Sequence, residues 1–156
     1  MARLILLAHA PLASALASVA VHAFPELASR VCALDAPAAE PPERTESRVR
    51  AVIDAPVGDG ASSAESEVLI LTDVFGATPT NVAQRVADRA GVRVLAGVNV
   101  PMLWRALNYA GLPLDDLVTR CIAGGTQGVL PIASTRPQNQ AVQTLSHDYQ
   151  QHHHQQ

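Results

Sequence analysis

Along this chain, short unbroken apolar runs take turns with longer stretches in which apolar residues recur three or four positions apart. Arg3 to Ala8 (RLILLA) is a run of the first kind, as a strand buried on both faces of a parallel sheet requires. Pro11 suits the first turn of a helix that runs to about Phe24, ahead of Pro25. Val31 to Leu34 is a weaker apolar run. A Pro/Ala loop, Asp35 to Pro42, then feeds a helix over about Glu43 to Ile53, whose charges (Glu43, Arg44, Glu46, Arg48, Arg50) form a solvated face. Gly58 to Glu67 is a flexible Gly/Ser/Ala/acidic loop, and Val68 to Leu71 (VLIL) is another buried strand with Asp73 at its carboxyl end. Thr78-Pro79 supplies a capping hydroxyl followed by proline at the first helical position, and Val82, Val86 and Ala90 continue at helical spacing until Gly91. Val92 to Ala96 is a fourth strand and Gly97 to Val100 a turn. Pro101 opens a helix to about Tyr109, and a last helix covers about Leu114 to Ala123.

Strands and helices alternating at this spacing predict a single-domain α/β fold, an open, doubly wound, mainly parallel sheet in flavodoxin-like order with helices on both faces. From about Pro137 the composition turns to Gln, His and Asn with almost nothing to bury, so residues 137–156 are expected to be a disordered tail behind a domain of residues 1–136.

Composition narrows the function classes. Apolar residues make up 48% of the chain but aromatics only 3%, so the core is built from Ala, Val, Leu and Ile. Net charge is −3, and all 11 basic residues are scattered arginines, which removes the electrostatic basis for nucleic-acid or membrane-surface binding. Cys32 and Cys121 stand apart in apolar surroundings and read as reduced core thiols. The N-terminal apolar stretch imitates a secretory signal with an A-x-A-like site at Val21-His22-Ala23. His9 and Pro11 do not belong in such a segment, and a strand, a turn and an Ala-rich helix account for it better. No other apolar run approaches the length of a membrane span, so a cytoplasmic protein without membrane insertion is expected.

In open α/β sheets ligands bind beyond the carboxyl ends of the strands, where strand order reverses. His9 ends the first strand and Asp73 follows the third, and in flavodoxin-like order these strands are neighbours. An imidazole accepts a phosphoryl group when one nitrogen is free and the other is held as N–H by a carboxylate. Helix N-termini at Pro11 and at Thr78-Pro79 could supply donors to the transferred group, Gly76 could let the backbone approach closely, and Thr78 could add a hydroxyl. The same residues also admit plain structural roles, His9 as a satisfied strand-end residue and Asp73 as a helix cap. A hydrolase triad with Ser14 or Ser18 lacks the G-x-S-x-G elbow. His152 to His154 lie in the low-complexity tail, and His22 and His147 carry no signal.

The segment LTDVFGATPTNVAQRV, Leu71 to Val86, resembles the D-x-x-G-[GA]-[ST]-P-x-N signature of the mannose-type enzyme IIA proteins of the bacterial phosphotransferase system. AGVNVPML, Ala96 to Leu103, is similar to the family's second signature, and AHA at Ala8 to Ala10 matches its phosphorylation-site region. The resemblance covers roughly residues 3 to 130. It implies that His9 becomes a phosphohistidine on Nε2, charged by the phosphocarrier HPr and discharged onto a histidine of a IIB component. It implies further that Asp73 orients His9, that the backbone of Gly76, Ala77 and Thr78 helps hold the phosphoryl group, and that the signature asparagines Asn81 and Asn99 support the site. A homodimer is implied, with no metal or organic cofactor, and the apolar piece Val129 to Ala133 (VLPIA) could extend a partner's sheet, Pro131 restricting it to an edge. The chain departs from the pattern at Ala10-Pro11 and at Val74, where a hydroxyl residue is usual, and Asp35 to Glu67 matches poorly. The phosphoryl-donor subunit of dihydroxyacetone kinase, which resembles the same family, and a purely regulatory phospho-switch are the alternative roles.

Overall fold

The computed structural model describes residues 1–56 and 67–132; most of the loop expected over Gly58 to Glu67 and the whole of the expected tail lie outside the described residues. In chain order the elements are β1 (Arg3–His9), α1 (Leu12–Ala23), a 3-10 turn (Pro25–Arg30), β2 (Val31–Ala36), α2 (Pro42–Asp54), β3 (Val68–Thr72), α3 (Thr78–Val86), β4 (Val92–Ala96), α4 (Val100–Asn108) and α5 (Leu114–Gln127). The strands form one parallel sheet in the order β2-β1-β3-β4. Leu6 pairs with Ala33 on one side and Leu71 on the other, and Ile70 pairs with Val94. The chain winds outward in one direction from β1 to β2 and in the other from β3 to β4, so strand order reverses between β1 and β3.

Successive strand residues point to opposite faces, and the two inner strands are apolar at both parities, so each face acquires its own core. Leu4, Leu6, Leu69 and Leu71 pack with Ala13, Leu16 and Ala20 of α1, Leu103 and Leu107 of α4, and Leu117 and Cys121 of α5. Ile5, Leu7, Val68 and Ile70 pack with Val49 and Ile53 of α2 and Val82, Ala83 and Val86 of α3. Each fully buried Leu or Ile contributes about 1.5–3 kcal/mol of transfer free energy. Both cysteines are free thiols; Cys121 is buried, which pushes its pKa up to about 11, while Cys32 is only half-buried rather than a core residue.

Three local expectations about helix ends differ from the structure. The cap of α3 is Ala77, without a side-chain hydrogen bond, and Thr78 is already the first helical residue. That helix stops at Val86 although Ala90 keeps the spacing, because Ala90 is exposed and the chain must turn for the Gly91 carbonyl to accept the Val68 N–H at 2.8 Å. Conversely, α5 runs through Gly124 and Gly125 to Gln127, since these glycines lie against α4: a Cβ on Gly125 would sit 2.7 Å from Met102 Cε, and one on Gly124 would sit 3.2 Å from the Pro101 carbonyl. Val129, Leu130 and Ile132 belong to no strand of this chain and stand exposed.

Candidate functional site

At the reversal point β1 ends in His9 and β3 ends one residue before Asp73. Asp73 Oδ2 accepts the His9 backbone N–H at 3.0 Å and lies 2.6 Å from His9 Nδ1, while Oδ1 accepts the Val74 N–H at 2.8 Å. One carboxylate therefore meets three donors when the ring carries its proton on Nδ1. Burial alone would raise the pKa of Asp73, but the hydrogen bonds from the His9 backbone, the His9 ring and the Val74 backbone outweigh it, and the net shift is downward from 3.8. The carboxylate is thus ionised at neutral pH. The Asp73 side chain is 12% exposed and the His9 side chain 48%, so the ring is shielded on its Nδ1 side and keeps Nε2 for a partner.

The segment carrying Asp73 is held from both directions. Its carbonyl accepts the Gly97 N–H at 2.8 Å, and the neighbouring Thr72 carbonyl accepts from Val98 at 2.9 Å, which ties the turn to the end of β4. Thr80, buried in α3, donates to the Val74 carbonyl at 2.6 Å and meets the Thr72 hydroxyl at 2.8 Å. Asn81 Nδ2 donates to the Gly76 carbonyl at 3.2 Å. Gly76 adopts φ +85°, which favours glycine, but a Cβ there would meet nothing within 4 Å. The turn therefore requires the left-handed backbone of Gly76, and its outer side is open. Thr78 and His9 line one cavity of about 260 Å³ together with Pro37, Glu40 and Thr45.

Asn99 lies at the start of α4. Its Oδ1 accepts the Met102 N–H at 2.9 Å, capping α4, and its Nδ2 donates to the Gly125 carbonyl at 3.0 Å, so it joins α4 to α5. At the N-terminus of α1 Pro11 provides no side-chain cap, and the Asp35 carboxylate accepts the Ser14 N–H there at 3.2 Å. Asp35, Glu40, Thr45 and Arg48 are neighbours of the site that sequence reasoning missed. For Asp35 a signal existed: it ends the β2 apolar run as Asp73 ends that of β3. Exposed Leu12, Val74 and Phe75 follow closely on His9 and Asp73 and give the site an apolar margin. Among the described residues no three His, Cys, Asp or Glu side chains gather as a metal ion would need, and no helix is long and apolar enough to cross a membrane.

Known proteins share this fold. A crystal structure of phosphotransferase system component EIIA from Streptococcus agalactiae superposes with a TM-score of 0.71 at 25% identity, covering 84% of this chain and 97% of that one. The mannose/sorbose-specific IIA subunit from Enterococcus faecalis gives a TM-score of 0.70 at 24% identity, over 86% and 97% of the two chains, and supports the fold. The mannose-specific EIIAB component of Escherichia coli is 40% identical over 65 residues, which is 40% of this chain and 20% of that protein, so the match spans about a fifth of the relative's length. The family model described as the PTS system fructose IIA component matches residues 3–120. With that match over most of its length, the chain belongs to the mannose/fructose-type IIA family of the sugar phosphotransferase system.

Proposed function

We propose that the chain is a phosphocarrier that accepts a phosphoryl group from HPr on His9 Nε2 and passes it to a IIB histidine, working in the cytoplasm. The observation that carries this reading is the 2.6 Å contact between His9 Nδ1 and a shielded, ionised Asp73, on a ring whose other side faces solvent. With the proton on Nδ1, the Nε2 lone pair attacks phosphorus, the N–P bond of the donor breaks, and a P–Nε2 bond forms. The ring then carries a positive charge beside the Asp73 carboxylate, which offsets it without itself being protonated. No proton has to leave the site, so the step reverses onto the next acceptor with the same groups. First-turn N–H groups of a helix have no intrahelical acceptor, and those of α3, with the Gly76–Thr78 turn, supply donors for the phosphoryl oxygens. The exposed margin of Leu12, Val74 and Phe75 offers apolar area on which donor and acceptor proteins can rest in turn.

A homodimer belongs to the same reading. Among the described residues β4 pairs with β3 on one side only, and a groove of about 480 Å³ runs beside it, lined by Phe75, Gln84, Val92 and Val94 among others. The exposed Val129, Leu130 and Ile132 are the apolar residues a second copy could lay along that edge. Light scattering at micromolar concentration is expected to give twice the 16.4 kDa chain mass; the monomer mass alone would overturn the dimer.

Incubation with labelled phosphoenolpyruvate, enzyme I and HPr tests the phosphocarrier. Label should enter only when both proteins are present, on His9, in a bond that is acid-labile and base-stable. Acid-stable label, or label on a hydroxyl residue, would refute it.

A further inference from the structure

His9 stands at a junction between β1 and α1, and the junction is pinned from the side by the end of β2. The register places Asp35 opposite Ala8 and Ala36 opposite His9, and the Ala10 N–H donates to the Ala36 carbonyl at 3.1 Å. One turn further on, the Ser14 N–H donates to Asp35 Oδ1 at 3.2 Å. The chain from Ala10 to Ser14 is therefore tied to β2 at both ends. Between the ties lies Pro11, which has no N–H to offer and gives α1 no side-chain cap, so Asp35 supplies across the sheet what the local sequence lacks.

The β2 end is itself braced. Arg48 of α2 donates through Nη1 both to the Asp35 carbonyl at 3.0 Å and to Glu40 Oε2 at 2.9 Å, and the buried Thr45 hydroxyl donates to the same Glu40 oxygen at 2.7 Å. These contacts place a fixed frame, running from α2 through β2 to the first turn of α1, on the side of His9 opposite to Asp73 and β3. Asp73 holds the His9 ring and backbone from one neighbouring strand; the frame holds the following backbone from the other.

We propose that Asp35 is a positioning residue for phosphoryl transfer at His9, acting through the Ala10–Ser14 junction and not by touching the phosphoryl group. This rests on the phosphocarrier reading above. Losing the tie frees α1's first turn to shift along β2 and moves the His9 Cα out of register with the donors of α3. In-line attack tolerates such shifts poorly, and supporting contacts of this kind are worth roughly 10- to 100-fold.

Transfer from phosphorylated HPr measured by quench-flow on the full chain separates positioning from simple stabilisation. Asp35→Ala is expected to lower the rate at saturating donor about tenfold, with the half-saturating donor concentration changed less than twofold. Asp35→Asn keeps an acceptor oxygen but gives a weaker, uncharged hydrogen bond, so its rate should fall about twofold. Glu67→Ala is the matched control: Glu67 Oε1 accepts the Leu114 N–H at 3.3 Å, a side-chain contact at the start of α5, just before β3 at the end of the sheet away from His9. It is expected to lower the melting temperature comparably and leave transfer unchanged. Wild-type transfer rate in Asp35→Ala, or in Asp35→Asn should the alanine variant not fold, would overturn the proposal, as would an equal slowing in Glu67→Ala. Failure of the wild-type chain to label on His9 at all would instead overturn the phosphocarrier reading.

Discussion

Replacing Asp73 by Asn tests the core of the site, because the two side chains have the same shape and differ in what they can accept. The carboxylate of Asp73 meets three donors, the His9 N–H, the ring Nδ1–H and the Val74 N–H, at 3.0, 2.6 and 2.8 Å. An amide has one accepting oxygen and one donating nitrogen. If the oxygen faces His9, the NH2 group opposes the Val74 N–H, and that donor loses its partner at a cost of about 1–3 kcal/mol. If the amide flips, its NH2 group donates to Nδ1, the ring proton moves to Nε2, and the attacking atom is blocked. The second arrangement relieves the clash at Val74 but sets the NH2 group against the His9 backbone N–H, so either way one backbone donor loses its partner, and the inactive tautomer competes with the active one. Transfer should therefore slow by about 10²- to 10³-fold, inside the range seen when an orienting carboxylate is replaced by its amide. Quench-flow labelling from phosphorylated HPr gives the rate, circular dichroism checks the fold, and nitrogen chemical shifts of the His9 ring report the tautomer. A folded Asp73→Asn protein that accepts phosphoryl at the wild-type rate would refute the pairing and leave Asp73 as a turn-forming residue only.

His9→Ala should abolish labelling altogether while leaving the melting temperature within a few degrees of wild type, since the ring is half exposed; residual acid-labile label on the folded variant would point to another acceptor. The Asp73 pKa lies below its ordinary 3.8, so the folded state binds fewer protons than the unfolded state as pH falls through this range. Its stabilising contribution is accordingly complete above about pH 4–5 and disappears as pH drops through the folded pKa. The gap in melting temperature between wild type and Asp73→Asn should shrink in that acid window and stay constant above it. Gly128→Ala should cost about 1–3 kcal/mol by urea denaturation, because its Cβ would collide with the stiff Pro101 ring. Gly111→Ala, whose nearest neighbour is the flexible Met1 Cε at 3.6 Å, should change stability by less than about 0.5 kcal/mol.

Sequence alone determined the sheet and the pair at its centre. The unbroken apolar runs of β1 and β3 read best as strands covered on both faces, and parallel strands joined by helices leave few topologies. Once those two strands are neighbours, His9 and Asp73 at their carboxyl ends must meet. The motif around Gly76 was legible for the same local reason, a turn followed by a helix start. Contacts between distant segments were not. The Asn99 amide caps α4 and joins it to α5, and only the packing of those helices shows it. Gly124 and Gly125 read as a helix stop because glycine is a poor helix former, but close approach to α4 repays that weakness and the helix continues. Asp35 lies 21 residues from the Ser14 N–H it accepts, and no local pattern encodes a cap delivered across a sheet. Periodicity reports which face of an element is buried; which partner buries it, and which polar group crosses to satisfy it, are properties of the assembled fold.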